Sequence, residues 1–150
     1  MSENATLTAE QVCSLRCLAG MMIPASAAYD VPSAADDAIF SDVLRSFGRD
    51  AAQVRAVLLM ADELGGGTFG GLDPARQEAV AAKLRETGGE PLKLLTRLIL
   101  QCYYRDDRVM RSLNMEVRPP FPKGFEIEQG DWSLLDPVRR RGKIYRDANS

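Results

Sequence analysis

Two cysteines one helical turn apart, Cys13 and Cys17, and a third, Cys102, are the most reactive side chains in a chain that contains no histidine. On one helix, the Cβ atoms of Cys13 and Cys17 stand about 5–6 Å apart. A disulfide needs about 3.5–4.5 Å. The pair is also half a zinc site at best, because the histidines or further cysteines that complete four-coordination are missing. All three are therefore expected to be reduced, partly buried thiols, and no metal ligand set is expected. Without imidazole the commonest base that activates a serine or cysteine nucleophile is absent. Acidic neighbours occur at Asp36-Asp37, Asp62-Glu63 and Asp106-Asp107. Adjacent residues on a helix diverge by about 100°, so none is by itself a general acid/base dyad. The glycines of GGGTFGG (65–71) match a dinucleotide-binding spacing through Gly65, Gly67 and Gly70. That fingerprint needs a strand before it and a helix directly after it. Here a helical pattern precedes it and Leu72-Asp73-Pro74 follows, which leaves a flexible interhelical connection. No catalytic, cofactor-binding or metal-binding residue is expected.

The groups left over are suited to docking. After Leu113 the chain carries Phe121, Phe125, Ile127, Trp132, Leu134, Leu135, Ile144 and Tyr145, with prolines 119, 120 and 122 imposing an extended path. A polar linker would not hold the only tryptophan and so many large apolar groups. Arg118, Pro119, Pro120, Phe121, Pro122, Phe125, Trp132, Leu135 and Tyr145 are the expected partner-binding residues, being of the types that form interface hot spots. Pro119 to Pro122 is also a formal PxxP. The basic run Arg139, Arg140, Arg141, Lys143 and Arg146 could meet phosphates, but a single short patch on an acidic chain is a weak nucleic-acid signal. The aromatics and prolines favour protein docking instead.

What must position these residues is a body of helices. A chain of 150 residues, 45% of them hydrophobic, fits one domain with a real core. Nineteen basic against twenty-one acidic residues argue against general binding to nucleic acid or anionic membranes. No apolar run approaches the roughly 20 residues needed to span a bilayer. Glu3, Glu10 and Arg16 interrupt the opening segment, so no secretory leader is readable and the cytoplasm is the expected address.

Thr8 with Gln11 reads as a capping box for a helix with Val12, Leu15, Ala19, Met22 and Ile23 on one face, stopped near Met22 by Pro24. Residues 24–35 are small and proline-punctuated, hence a loop. Asp36 or Ser33 caps a second helix through Ile39, Phe40, Val43, Leu44 and Phe47, closed by Gly48. Asp50 caps a third through Val54, Val57, Leu58, Ala61 and Leu64, ended by Gly65. Asp73-Pro74 starts a fourth, running to about Glu86. Pro91 opens a fifth, whose Leu92, Leu94, Leu95, Leu98, Ile99 and Leu100 leave little polar face and make it the expected central helix. Asp106-Asp107, between Arg105 and Arg108, reads as the charge-paired end of that helix. The expectation is an all-α bundle of about five helices over 1–113, with an extended, mostly irregular docking tail over 114–150.

The run LTAEQVCSLRCLAGMMIPASAAYDVPSAADDAIFSDVL resembles the opening of gluconate 2-dehydrogenase subunit 3 proteins. Met22-Ile23-Pro24-Ala25 and Ala34-Ala35-Asp36-Asp37 carry the likeness, with Cys102-Tyr103-Tyr104 leading into the proline- and aromatic-rich tail. The resemblance implies a small, non-catalytic subunit that assists the folding, stability or export of a large flavoprotein of the glucose-methanol-choline type. FAD would sit in that large subunit, which oxidises an alcohol or sugar hydroxyl; this chain would bind no cofactor and, lacking a haem-attachment motif, would carry no electrons. Many family members bear a twin-arginine export signal. This sequence lacks one, which implies a cytoplasmic variant, with co-export alongside a partner as the route to the periplasm. The alternative from another class is a free-standing adaptor or regulatory protein, with the basic tail on nucleic acid. A cofactor-free helical enzyme is the third reading.

Overall fold

In the computed structural model, which describes residues 7–117 and 129–144, capping side chains fix most of the helix starts. Helix α1 (Ala9–Met22) opens on a complete capping box. The Thr8 hydroxyl accepts from the Gln11 N–H at 3.2 Å, and the Thr8 N–H donates to Gln11 Oε1 at 3.0 Å. Asp36, not Ser33, caps α2 (Asp37–Ser46) by accepting from the Ala38 N–H. Asp73 caps α4 (Pro74–Thr87) by accepting from Arg76, with Pro74 in the first turn where no N–H is missed. Asp50 stands at the start of α3 (Ala51–Gly65) without a side-chain cap bond, because a 3-10 turn over Gly48–Asp50 already leads into it.

Several boundaries and one count differ from expectation. Helix α3 ends one residue later than expected, since Gly66 and not Gly65 takes the left-handed conformation (φ 69°). Helix α5 spans Gly89–Tyr103, starting two residues before Pro91, which sits harmlessly in its first turn. Asp106 does not close α5; its carboxylate accepts from the Arg108 N–H and opens a further helix, α6 (Asp107–Ser112). A 3-10 turn over Trp132–Leu135 and helix α7 (Asp136–Arg140) interrupt the tail expected to be irregular. Asp131 nucleates that turn by accepting from the Ser133 N–H, and Pro137 favours the helix that follows. Among the described residues there are thus seven α-helices rather than about five, and no strand. No helix among them is long and apolar enough to cross a membrane.

The chain divides into two compact units, 1–117 and 118–150. The first reaches past Leu113 because Asn114 and Met115 fold back on α6, donating backbone bonds to Arg111 and Met110, with Asn114 in the left-handed region. Its core is built from Leu15, Phe40, Val54, Val57, Leu58, Phe69, Leu95 and Ile99, all fully enclosed. Helix α3 packs on α1, α4 and α5, and α5 on α2, α3 and α4. Helices α3 and α5 thus each pack against three others and share the centre of the bundle. Helix α5 keeps a solvent face of Lys93, Arg97, Leu100 and Gln101, so its many leucines did not make it apolar all round.

Candidate functional site

The glycine-rich connection is pinned, not flexible. Phe69 lies fully inside the bundle, on a 3-10 turn over Phe69–Gly71. Its N–H donates to Asp62 Oδ1 at 2.7 Å and its carbonyl accepts from Gln77 Nε2 at 3.2 Å. The next amide, of Gly70, donates to Ser14 Oγ at 3.0 Å. Ser14 is buried, and this bond gives its hydroxyl a partner. These contacts occupy the backbone donors that a phosphate would need. A Cβ built at Gly70 would stand 3.0 Å from the Ser14 nitrogen and 3.1 Å from Cys13 Sγ. Gly70→Ala should therefore cost about 1–2 kcal/mol through overpacking against α1, read as a lower urea midpoint with the far-ultraviolet circular dichroism unchanged. An unshifted midpoint would mean that the turn does not press on α1.

Each acidic pair has a structural task. Asp36 and Asp106 share Arg108, whose Nη2 lies 2.7 Å from Asp36 Oδ1 and whose Nε lies 3.0 Å from Asp106 Oδ1. These bonds hold both carboxyls below the usual carboxylate range and push the Arg108 guanidinium further up. Asp37 pairs with Arg16 at 2.8 Å, and that guanidinium also lies over the Phe40 ring. Asp107 pairs with Arg111. Arg105 holds Asp42 at 2.7 Å, tying α2 to the end of α5. The small-residue loop after α1 is anchored too. Ser26 and Val31 form an antiparallel bridge, the Ser33 hydroxyl donates to the Ile23 carbonyl, and the buried Tyr103 hydroxyl donates to the Pro32 carbonyl. Burial raises the Tyr103 phenol above its ordinary value.

Of the cysteines, Cys13 is exposed, Cys17 half-buried and Cys102 buried. Burial, then the neighbouring Cys13 thiol, push the Cys17 thiol upward, while Gln77 acts in the opposite direction.

The expected docking residues Trp132 and Leu135 both lie on the solvent side of the C-terminal 3-10 turn. Trp132 is 61% exposed, with its indole N–H donating to Gln129. Leu134 and Val138 beside them, and Ile144 further on, are exposed as well. Arg139 pairs with Asp136 at 3.3 Å, which takes one cation of the basic cluster into local structure. Arg118, Pro119, Pro120, Phe121, Pro122, Phe125 and Tyr145 lie outside the described residues. Of the groups that fix the glycine-rich turn, sequence reasoning named Asp62 only as half of an acidic pair and did not single out Ser14 or Gln77. Their only local signal is a polar residue on an otherwise apolar helix face. No protein-family model, curated protein or solved structure matches the chain.

Proposed function

We propose that the chain is a non-catalytic accessory subunit that binds and stabilises a large FAD-dependent alcohol or sugar dehydrogenase in the cytoplasm. The observation that carries the docking half of this reading is the exposed apolar set Trp132, Leu134, Leu135, Val138 and Ile144. Side chains of this kind on a one-turn helix gain little where they stand, and each aromatic would bury about 150–250 Å² in a partner's groove. The identity of the partner rests on the resemblance carried by Met22-Ile23-Pro24-Ala25 and Ala34-Ala35-Asp36-Asp37. In this reading the helical unit is the body and residues 115–147 the clamp. Binding only the folded flavoprotein stabilises it by mass action, in proportion to the logarithm of concentration over dissociation constant.

Co-expression with a flavin oxidoreductase encoded beside it should yield a yellow, co-purifying complex, with this chain colourless alone. Truncation after Asn114 should abolish co-purification while leaving the remaining helices intact by circular dichroism. A truncated chain that still holds the flavoprotein would discard the clamp. Retention on a nucleic-acid column that falls steeply with salt would favour the adaptor reading.

A further inference from the structure

Helix α1 carries three sulfur side chains at successive turns of one stripe, Cys13, Cys17 and Met21. The four-coordinate arithmetic that makes two cysteines half a zinc site does not apply to every ion. Soft monovalent copper takes thiolate and thioether sulfur and is content with two or three ligands. Two metal–sulfur bonds of about 2.3 Å in line span about 4.6 Å. That is too long for a sulfur–sulfur bond, yet it suits Cβ atoms about 5–6 Å apart on one helix. The helical spacing that forbids a disulfide between Cys13 and Cys17 is compatible with a sulfur–metal–sulfur unit.

The surroundings agree. Cys13 is exposed, which gives an ion a way in, and Cys17 is half-buried, which gives it a less aqueous floor. Gly70 lets the glycine-rich turn pack close beside Cys13, where a Cβ would stand 3.1 Å from Sγ. Gln77 is the uncharged polar neighbour of Cys17. Helical side chains lean toward the N-terminus, so the flexible Met21 thioether, itself partly exposed, is directed back toward Cys17. Among the described residues no set of three His, Cys, Asp or Glu side chains converges, so a four-coordinate ion has no competing site there.

We propose that Cys13 and Cys17 form a binding site for a soft thiophilic ion, Cu(I), with the Met21 thioether as a third sulfur. Binding releases the two thiol protons to solvent and forms two copper–sulfur bonds, with no change in oxidation state. Affinity therefore rises with pH, by up to two protons per ion. This site is independent of the flavoprotein reading and would exist in the free chain.

The test is an anaerobic titration of the full, reduced chain with Cu(I) in competition with a chromophoric Cu(I) chelator. One ion per chain should be withdrawn from the chelator by the natural chain and by Cys102→Ser. Cys13→Ser and Cys17→Ser should each lose that ion while keeping the helical circular dichroism. Met21→Leu should weaken it by about 10-fold. Excess Zn(II) should leave the bound copper in place. The proposal is overturned if the natural chain takes no copper from the chelator, if either serine variant keeps the same affinity, or if Cys102→Ser removes it. Displacement by zinc, or one ion shared between two chains on gel filtration, would overturn it equally.

Discussion

Replacing Phe69 by alanine should lower the unfolding free energy by about 3–5 kcal/mol, read as a large drop in urea midpoint with little change in slope. Phe69 comes from a stretch that reads as a glycine-rich linker, yet its ring is fully enclosed with Leu15, Val54, Val57 and Leu58 in the same core. The backbone bonds around it, from its N–H to Asp62 and from Gln77 to its carbonyl, do not involve the ring and can survive the substitution. The loss therefore measures the cavity and the missing transfer energy. A domain of this size commonly has about 5–15 kcal/mol in total, so the variant should sit near its threshold at physiological temperature. Trp132→Ala is the contrast: with 61% of its surface in water, the larger aromatic should change stability by less than about 0.5 kcal/mol. Similar losses for the two would mean that the glycine-rich turn is not part of the core.

That contrast also marks what could be read directly from the chain. Helix starts were legible where a capping side chain precedes a long apolar periodicity, as at Thr8 with Gln11 and at Asp73 with Arg76, but not at Asp106, whose helix is short. The apolar faces of α2 and α3 were legible because ten or more residues give the periodicity room to repeat. Helices α6 and α7 contain six and five residues, too few for a pattern to declare itself. The bonds that fix the glycine-rich turn join residues far apart in sequence. Gly70 and Ser14 are separated by 56 positions, and nothing near either announces the other. The dense leucines of α5 misled for a different reason. Composition reports how much apolar surface a helix has, whereas burial depends on which sides its neighbours cover, and α5 keeps an exposed face at Lys93, Arg97 and Gln101. For the proposed docking residues only the types were legible; of them, Trp132 and Leu135 are exposed. Which partner they meet was carried by resemblance alone.

Replacing Asp106 by alanine should cost about 2 kcal/mol at neutral pH. About half comes from the lost cap on α6 and about half from the Arg108 pair, discounted because that guanidinium is 44% exposed. Asp106 and Asp36 converge on one arginine across 70 or so positions of sequence, so the pair staples the start of α6 to the start of α2. Hydrogen bonds from Arg108 lower both carboxyl pKa values relative to the unfolded chain. A carboxyl depressed on folding contributes its full stabilisation above its unfolded value, about 3.9 for aspartate. The contribution is lost as pH falls through the lower folded value. The natural chain should accordingly hold its stability from neutral pH down to about pH 5 on this account and weaken below about pH 4. Asp106→Ala should show a shallower acid decline, and the gap between the two should narrow as pH falls through the depressed folded value of Asp106. Asp106→Asn separates the two contributions, because it keeps a side-chain oxygen for the Arg108 N–H but cannot carry the charge. It should recover about half the loss at neutral pH and still decline less steeply in acid. If urea midpoints between pH 7 and pH 3 give Asp106→Ala a constant deficit, the aspartate acts only as a cap and the Arg108 staple contributes nothing to the fold.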